Sequence, residues 1–248
     1  MLVGSPALAA TSGSSAITGN DVSYPQCGKT LPSRAAFGIV GVNGGKASTL
    51  NPCFPRQIAW AKASVGGTMQ PLAAVYVNTG NPGDVYVTNP SLVSYWPTTG
   101  PNSFGTCTGG NTAACAYEYG KYMAGKDAAY VAKSDGSTIF TYWLDVEIGN
   151  SWSVNTLNNR ADLIGMVDYF HGIGSPVGLY STSYQWRQIA GTATYSGSPL
   201  AGLQSWLPGA QSLSAARSNC LLPALTPNGT VTLTQYVSGG LDNDYSCQ

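Results

Sequence analysis

Ile139-Phe140-Thr141-Tyr142-Trp143-Leu144-Asp145-Val146-Glu147 is an apolar, aromatic run that closes on two carboxylates. Read as a β-strand, its period of two puts Asp145 and Glu147 on one face and Val146 on the other. Two acids side by side at a strand end are costly to ionise together, so one pKa should rise.

Outward from this run, short apolar segments alternate with amphipathic ones, the βα rhythm of a parallel sheet or barrel. Candidate strands are Gly19–Tyr24, Phe37–Asn43, Leu72–Asn78, Ile139–Glu147, Pro176–Tyr180, Ala201–Leu207 and Val231–Val237, with a short last one near Leu241–Tyr245. Candidate helices are Pro55–Ser64, Ala113–Ala132, Thr156–Gly172 and Tyr184–Ile189. In the third, Leu157, Ala161, Ile164, Val167 and Phe170 recur at helical spacing. Seven or eight strands with fewer helices predict an α/β fold, a single (β/α) barrel of the TIM type whose later helices are reduced. No linker or repeat divides the chain, so residues 19–248 read as one barrel. The stretch Gly80–Ala114 is long for a loop, and such loops are often functional or stapled.

Composition narrows the function classes. The chain has 248 residues, 43% of them hydrophobic and 9% charged, against roughly 25% charged in an average soluble protein. Eleven basic residues balance eleven acidic ones, which removes the electrostatic case for nucleic acid or an anionic membrane. No apolar run approaches the roughly 20 residues of a membrane helix. Ala7-Leu8-Ala9 has the small-x-small form of a signal peptidase site. Residues 1–18 therefore read as the remnant of an export signal, or otherwise as a disordered N-terminus.

Six cysteines support an exported, extracellular protein: Cys27, Cys53, Cys107, Cys115, Cys220 and Cys247. Their number is even, none forms a C-x-x-C pair, and a single His171 could join them. Disulfides are thus a better reading than zinc. Fifteen pairings are possible; proximity favours 27–53, 107–115 and 220–247. No cofactor motif appears, and Asp242-Asn243-Asp244 lacks the calcium-loop pattern, so neither cofactor nor metal is expected.

Only two of the eleven acids are Glu, and five fall at or beside predicted strand ends: Asp21, Asp145, Glu147, Asp242 and Asp244. In a parallel barrel the C-terminal strand ends converge on one mouth, where active sites lie. Residues far apart in sequence would then share one acidic pocket. A raised acid beside an ionised one is the arrangement that glycosidic bond cleavage needs. For Asp242 and Asp244, among Gly239, Gly240 and Asn243, a turn is the rival reading.

Four motifs in order carry a family resemblance. Asp21-Val22-Ser23-Tyr24-Pro25-Gln26 resembles the opening D-V-S-x-x-Q signature of glycoside hydrolase family 25, the Chalaropsis-type lysozymes. Leu144-Asp145-Val146-Glu147 is similar to that family's L-D-x-E strand, and Gly178-Leu179-Tyr180-Ser181 to its G-x-Y-(S/T) strand. Gln235-Tyr236 and the segment to Asp244 resemble its closing element. The resemblance implies a (β/α)5β3 barrel that cleaves the β-1,4 bond after N-acetylmuramic acid in peptidoglycan. It makes Glu147 the general acid and Asp145 the partner of the substrate's N-acetyl group, the internal nucleophile of a substrate-assisted mechanism. Asp21 would sit across the pocket and Asp244 would be the closing strand's acid.

The second strand and the end of the sixth depart from the family pattern, and Ala201–Ala210 holds no acid. These departures motivate two alternatives: a carbohydrate-binding or cell-wall-associated barrel without catalysis, and a hydrolase of another polysaccharide. Tyr180, Tyr236, Gln235, Trp206 and Asp242 are the candidate substrate-binding residues, and Trp96, Trp152 and Trp186 are further stacking candidates; for these three and Trp206 plain packing is the competing reading. Trp60 and Trp143 read as core. The partner expected is peptidoglycan or another cell-wall polysaccharide, bound by a monomer.

Overall fold

The computed structural model describes residues 17–83, 96–192 and 197–248. The signal-like stretch at residues 7–9 lies outside these residues, as does part of the long insert. In chain order, β1 (Thr18–Val22) leads through a 3-10 turn (Tyr24–Gln26) to β2 (Gly38–Gly41), α1 (Phe54–Lys62) and β3 (Ala73–Asn78). A small hairpin, β4 (Pro101–Asn102) with β5 (Gly105–Thr106), precedes α2 (Ala113–Asp135). Then come β6 (Tyr142–Asp145), α3 (Thr156–Gly172), β7 (Val177–Tyr180), α4 (Ser183–Ala190), β8 (Gln204–Ala210) and α5 (Leu213–Asn219). The chain closes with β9 (Val231–Ser238) and β10 (Leu241–Ser246).

Eight strands close into a barrel in the order β1-β10-β9-β8-β7-β6-β3-β2. Pairings are parallel except on either side of β10, which runs antiparallel to both β1 and β9. Five strands are each followed by a helix and three are not, the arrangement implied by the family resemblance. The last two helices have eight and seven residues. One of them, α5, was not foreseen from the sequence; Ser212 starts it by accepting the Ala215 N–H, an N-cap with little apolar periodicity behind it.

Local chemistry explains where the other helices begin. Thr112, Asn155 and Thr182 each accept a backbone N–H of the first turn of α2, α3 and α4. Gly136 ends α2 in the left-handed conformation, with φ 80°, which costs a glycine nothing sterically. The strand at the centre of the sequence reading is shorter than its apolar run. It ends at Asp145, and Glu147 stands in the loop just beyond.

Alternation along the strands makes two cores. Outward-facing Val40, Val75, Val77, Tyr142, Leu144 and Leu179 pack with Ile58, Ala124, Leu163 and Val167 of the helices. Inward-facing Phe37, Ile39, Ala74, Trp143, Trp206 and Leu233 fill the barrel. Trp143 of β6 and Trp206 of β8 meet edge to face at 5.8 Å, although β7 lies between their strands. The intervening inward position is Gly178, where a Cβ would strike the Trp143 ring. Both indoles therefore fit because glycine leaves the space.

The six cysteines pair as 27–53, 107–115 and 220–247. The first ties the turn after β1 to the start of α1, and the last ties the end of α5 to the end of the chain. The second joins the small hairpin to the first turn of α2, which anchors the insert. Asparagines secure the loop after β6. Asn159 accepts from Asn81 and from the Ser153 N–H, and donates to the Ser153 and Ile189 carbonyls at 2.8 and 2.9 Å. Among the described residues, no helix is long and apolar enough to cross a membrane.

Candidate active site

At the C-terminal ends of the parallel strands a cavity of about 200 Å³ opens to the surface. Its lining is Asp21 of β1, Tyr76 of β3, Asp145 of β6, Glu147, Tyr180 of β7, Trp206 of β8, Gln235 of β9 and Asp242 of β10. Four of the five acids singled out in the sequence thus meet in one place. The fifth, Asp244, sits one strand period below Asp242 and is fully buried, with Asp21 and Trp206 as its neighbours. The acid that β10 presents at the cavity is therefore Asp242. Tyr236 is not in the lining. Gln235 points inward, so strand alternation turns Tyr236 outward, where it is half-buried.

Asp145 is buried, with one oxygen held and the other not. Its Oδ2 accepts from the Asn78 carboxamide. Its Oδ1 is buried and has no hydrogen-bond partner among the described residues. Asn78 is itself fixed, since its backbone N–H donates to Asn43 Oδ1 at 2.8 Å and Asn43 donates to Asp127 Oδ1 at 2.9 Å. Glu147 is half-buried; its carbonyl accepts from Trp152 Nε1 at 2.9 Å and its Oε1 lies 3.4 Å from Gln185 Nε2. From the strand next to Asp145, Tyr180 Oη reaches across to donate to Gln235 Oε1 at 3.0 Å, and Gln235 Nε2 donates to Asp21 Oδ2 at 2.8 Å.

The electrostatics follow from burial. Asp145 is pushed well above the usual carboxylate range, first by burial and then by the charge of Glu147, while the Asn78 hydrogen bond pulls the other way. Burial and the nearby Asp242 raise Asp21 to about 7, against the Gln235 hydrogen bond. Asp244 is raised by burial and by Asp21 and Asp242. Burial and the surrounding acids also keep the Tyr180 and Tyr76 phenols protonated. The cavity thus holds more carboxyls than charges.

Of the tryptophans, Trp206 alone of the four stacking candidates lines the cavity. Trp96 packs on Tyr119, and Trp152 and Trp186 belong to the outer core. The sequence reading missed Tyr76, Asn78 and Gln185. Tyr76 and Asn78 alternate on the inward face of β3, so the period of two carried their signal. Gln185 carried none. Among the described residues, no cluster of His, Cys, Asp and Glu has the geometry to hold a metal ion.

Residues 117–201, from α2 to just before β8, match a family model described as lysozyme-like protein 1. This window contains Asp145, Glu147, Tyr180 and Gln185 and spans well under half of the chain. Over 79 residues the chain is 37% identical to lysozyme-like protein 5 of Caenorhabditis elegans, which covers 32% of this chain and 35% of that protein. The fold is similar to that of the modular Cpl-1 endolysin, a mutant of which was solved with a tetrasaccharide-pentapeptide. Against that structure the TM-score is 0.52 at 15% identity, covering 92% of this chain and 53% of the endolysin. The chain therefore spans about half the length of the endolysin and about a third of the nematode protein. The central stretch is lysozyme-like in sequence, and the barrel around it is similar in fold to that endolysin.

Proposed function

We propose that this protein is an exported glycoside hydrolase of the lysozyme type, an N-acetylmuramidase that cleaves β-1,4 bonds of peptidoglycan by a substrate-assisted mechanism. The observation that carries the reading is the divided state of Asp145, a residue of the cavity lining: one oxygen is bound by Asn78 and the other is buried and unpartnered among the described residues. An acetamide N–H is a donor of the kind that oxygen lacks. Supplying it favours the ionised form of Asp145, and a negative charge there favours the protonated form of the neighbouring acid. Substrate binding thereby arms the acid.

In the proposed reaction Glu147 donates its proton to the leaving glycosidic oxygen as the C1–O bond breaks. The acetamide carbonyl oxygen, aligned through its N–H on Asp145, forms the new bond to C1. Glu147, now ionised, then takes a proton from the water that opens this intermediate. Asp21, held by Gln235 (which Tyr180 fixes in turn), and Asp242 border the sugar from the facing wall. Trp206, buried in the barrel core beneath, supplies apolar lining to the cavity. Three disulfides support an oxidising destination, and the endolysin complexed with a peptidoglycan fragment is in keeping with this substrate class.

Release of reducing ends from purified cell walls tests the reading. Wild type should release them, and Glu147→Gln should lose roughly 10²–10⁴ in rate. Equal release by both would overturn the assignment. Saturable glycan binding without product from either would instead favour a binding module.

A further inference from the structure

We infer that Gln185 is a positioning residue that selects which oxygen of Glu147 carries the catalytic proton. The inference rests on Glu147 being the acid of the proposed reaction. It begins with how firmly the carboxamide is held. Gln185 stands in the first turn of α4, and its backbone N–H donates to the N-cap hydroxyl of Thr182 at 3.1 Å. Its Oε1 accepts the Ile148 N–H at 2.8 Å, the amide directly after Glu147. With Oε1 engaged, the amide cannot flip without losing that bond. Nε2 is thus left facing Glu147 Oε1 at 3.4 Å.

A carboxamide nitrogen only donates. The Glu147 oxygen that faces it must therefore be an acceptor in both protonation states, as the carbonyl oxygen of the acid or as one oxygen of the carboxylate. The proton then resides on Oε2. Without Gln185 the two oxygens are interchangeable by rotation about the last side-chain bond, which is soft. Fixing the tautomer removes the unproductive one of the two placements. It also stabilises the carboxylate that remains after proton transfer, because a donor to an ionised group strengthens as charge develops.

The backbone on either side is clamped by other groups. Trp152 Nε1 donates to the Glu147 carbonyl, and Ser181 Oγ donates to that of Val146 at 2.7 Å. Gln185 is thus not needed to hold the loop as a whole. The titratable groups that face the same cavity are Asp21, Asp145, Asp242, Tyr76 and Tyr180.

Two isosteric variants separate positioning from structure. Gln185→Glu keeps the acceptor for the Ile148 N–H and replaces the donor toward Glu147. Gln185→Met removes both. Wall hydrolysis by Gln185→Glu should fall about tenfold in kcat at pH 7 with little change in KM, the size of one charge-assisted hydrogen bond. It should recover on acidification, when protonation of the new carboxyl restores an O–H donor. Gln185→Met should lose kcat without that recovery. Wild-type kcat in Gln185→Glu at pH 7 would overturn the inference.

A readout independent of turnover is the side-chain amide signal of Gln185 in a ¹⁵N–¹H spectrum. It should shift with pH in wild type, and that titration should vanish in Glu147→Gln. A signal that titrates identically in both refutes the contact. If wild type released no reducing ends but the titration were lost in Glu147→Gln, the hydrolase reading would fail while the Gln185–Glu147 contact stood.

Discussion

Asp145 and Glu147 differ by two residues in sequence and by much more in environment. Asp145 ends its strand inside the barrel, while Glu147 reaches the cavity from a loop. Burial is what chiefly holds the Asp145 proton, since desolvation penalises its charged form more than the neighbouring charge does here. Asp145→Asn keeps the shape but cannot become the anion that receives an acetamide N–H. Its turnover on cell walls should fall by about 10², comparable to removing one preorganised electrostatic partner. Retention of wild-type kcat would refute the assigned partnership. The alternation that joined the pair was legible from the sequence. Which acid would be buried was not, because depth in the barrel depends on how the other strands close around it.

Among the elements, α2 and α3 carry the closest packing. At Gly120 of α2 a Cβ would strike the Asp162 carbonyl, and at Gly165 of α3 it would strike that of Tyr117. Two glycines facing opposite backbones let the helices approach beyond ordinary side-chain packing. Gly165→Ala should cost about 1–3 kcal/mol through overpacking, read as a lower midpoint in urea at unchanged slope. At the other end of the chain, Cys220–Cys247 spans 27 residues and fixes the antiparallel strand β10 against α5. Replacing both with Ser should cost about 3–4 kcal/mol by the loop-entropy argument, measured by thermal unfolding. No loss would mean that β10 is held by its two strand neighbours alone. The sequence announced the longer elements through the alternation and periodicity of their apolar residues. It did not announce α5, whose seven residues are held chiefly by packing on β8 and β9.

For the whole molecule, the charges are few and unevenly placed. None of the eleven Lys and Arg residues lines the acidic cavity, and the sole salt bridge among the described residues is Lys62–Asp135. Acid therefore removes little ion-pair stabilisation. Several carboxyls are instead buried and hold their protons above the ordinary value of 3.8: Asp21 to about 7 and Asp127 to about 8, with Asp145, Asp162 and Asp244 also raised. Between about pH 4 and pH 8 the folded state binds more protons than the unfolded one, so stability falls as pH rises through this window. The melting temperature should be higher at pH 5 than at pH 8. Asp162→Asn should flatten that dependence, because both Asp162 oxygens are buried without partners between the helices. A melting temperature that rises from pH 5 to pH 8 would contradict this account.

Sequence alone determined the features governed by near neighbours. The βα rhythm, the paired acids and the cysteines close enough to meet are properties of short stretches, fixed by periodicity and chain reach. The tertiary structure decided which of these stretches share a cavity and how deep each side chain lies. Asp242 rather than Asp244 reaches the cavity, Tyr236 turns outward, and Asn78 and Gln185 arrive beside the two acids from other elements. Barrel closure sets those outcomes. Strand register chooses which alternate residue faces inward, and the height at which each strand ends chooses what it touches, so neither is encoded in any one segment.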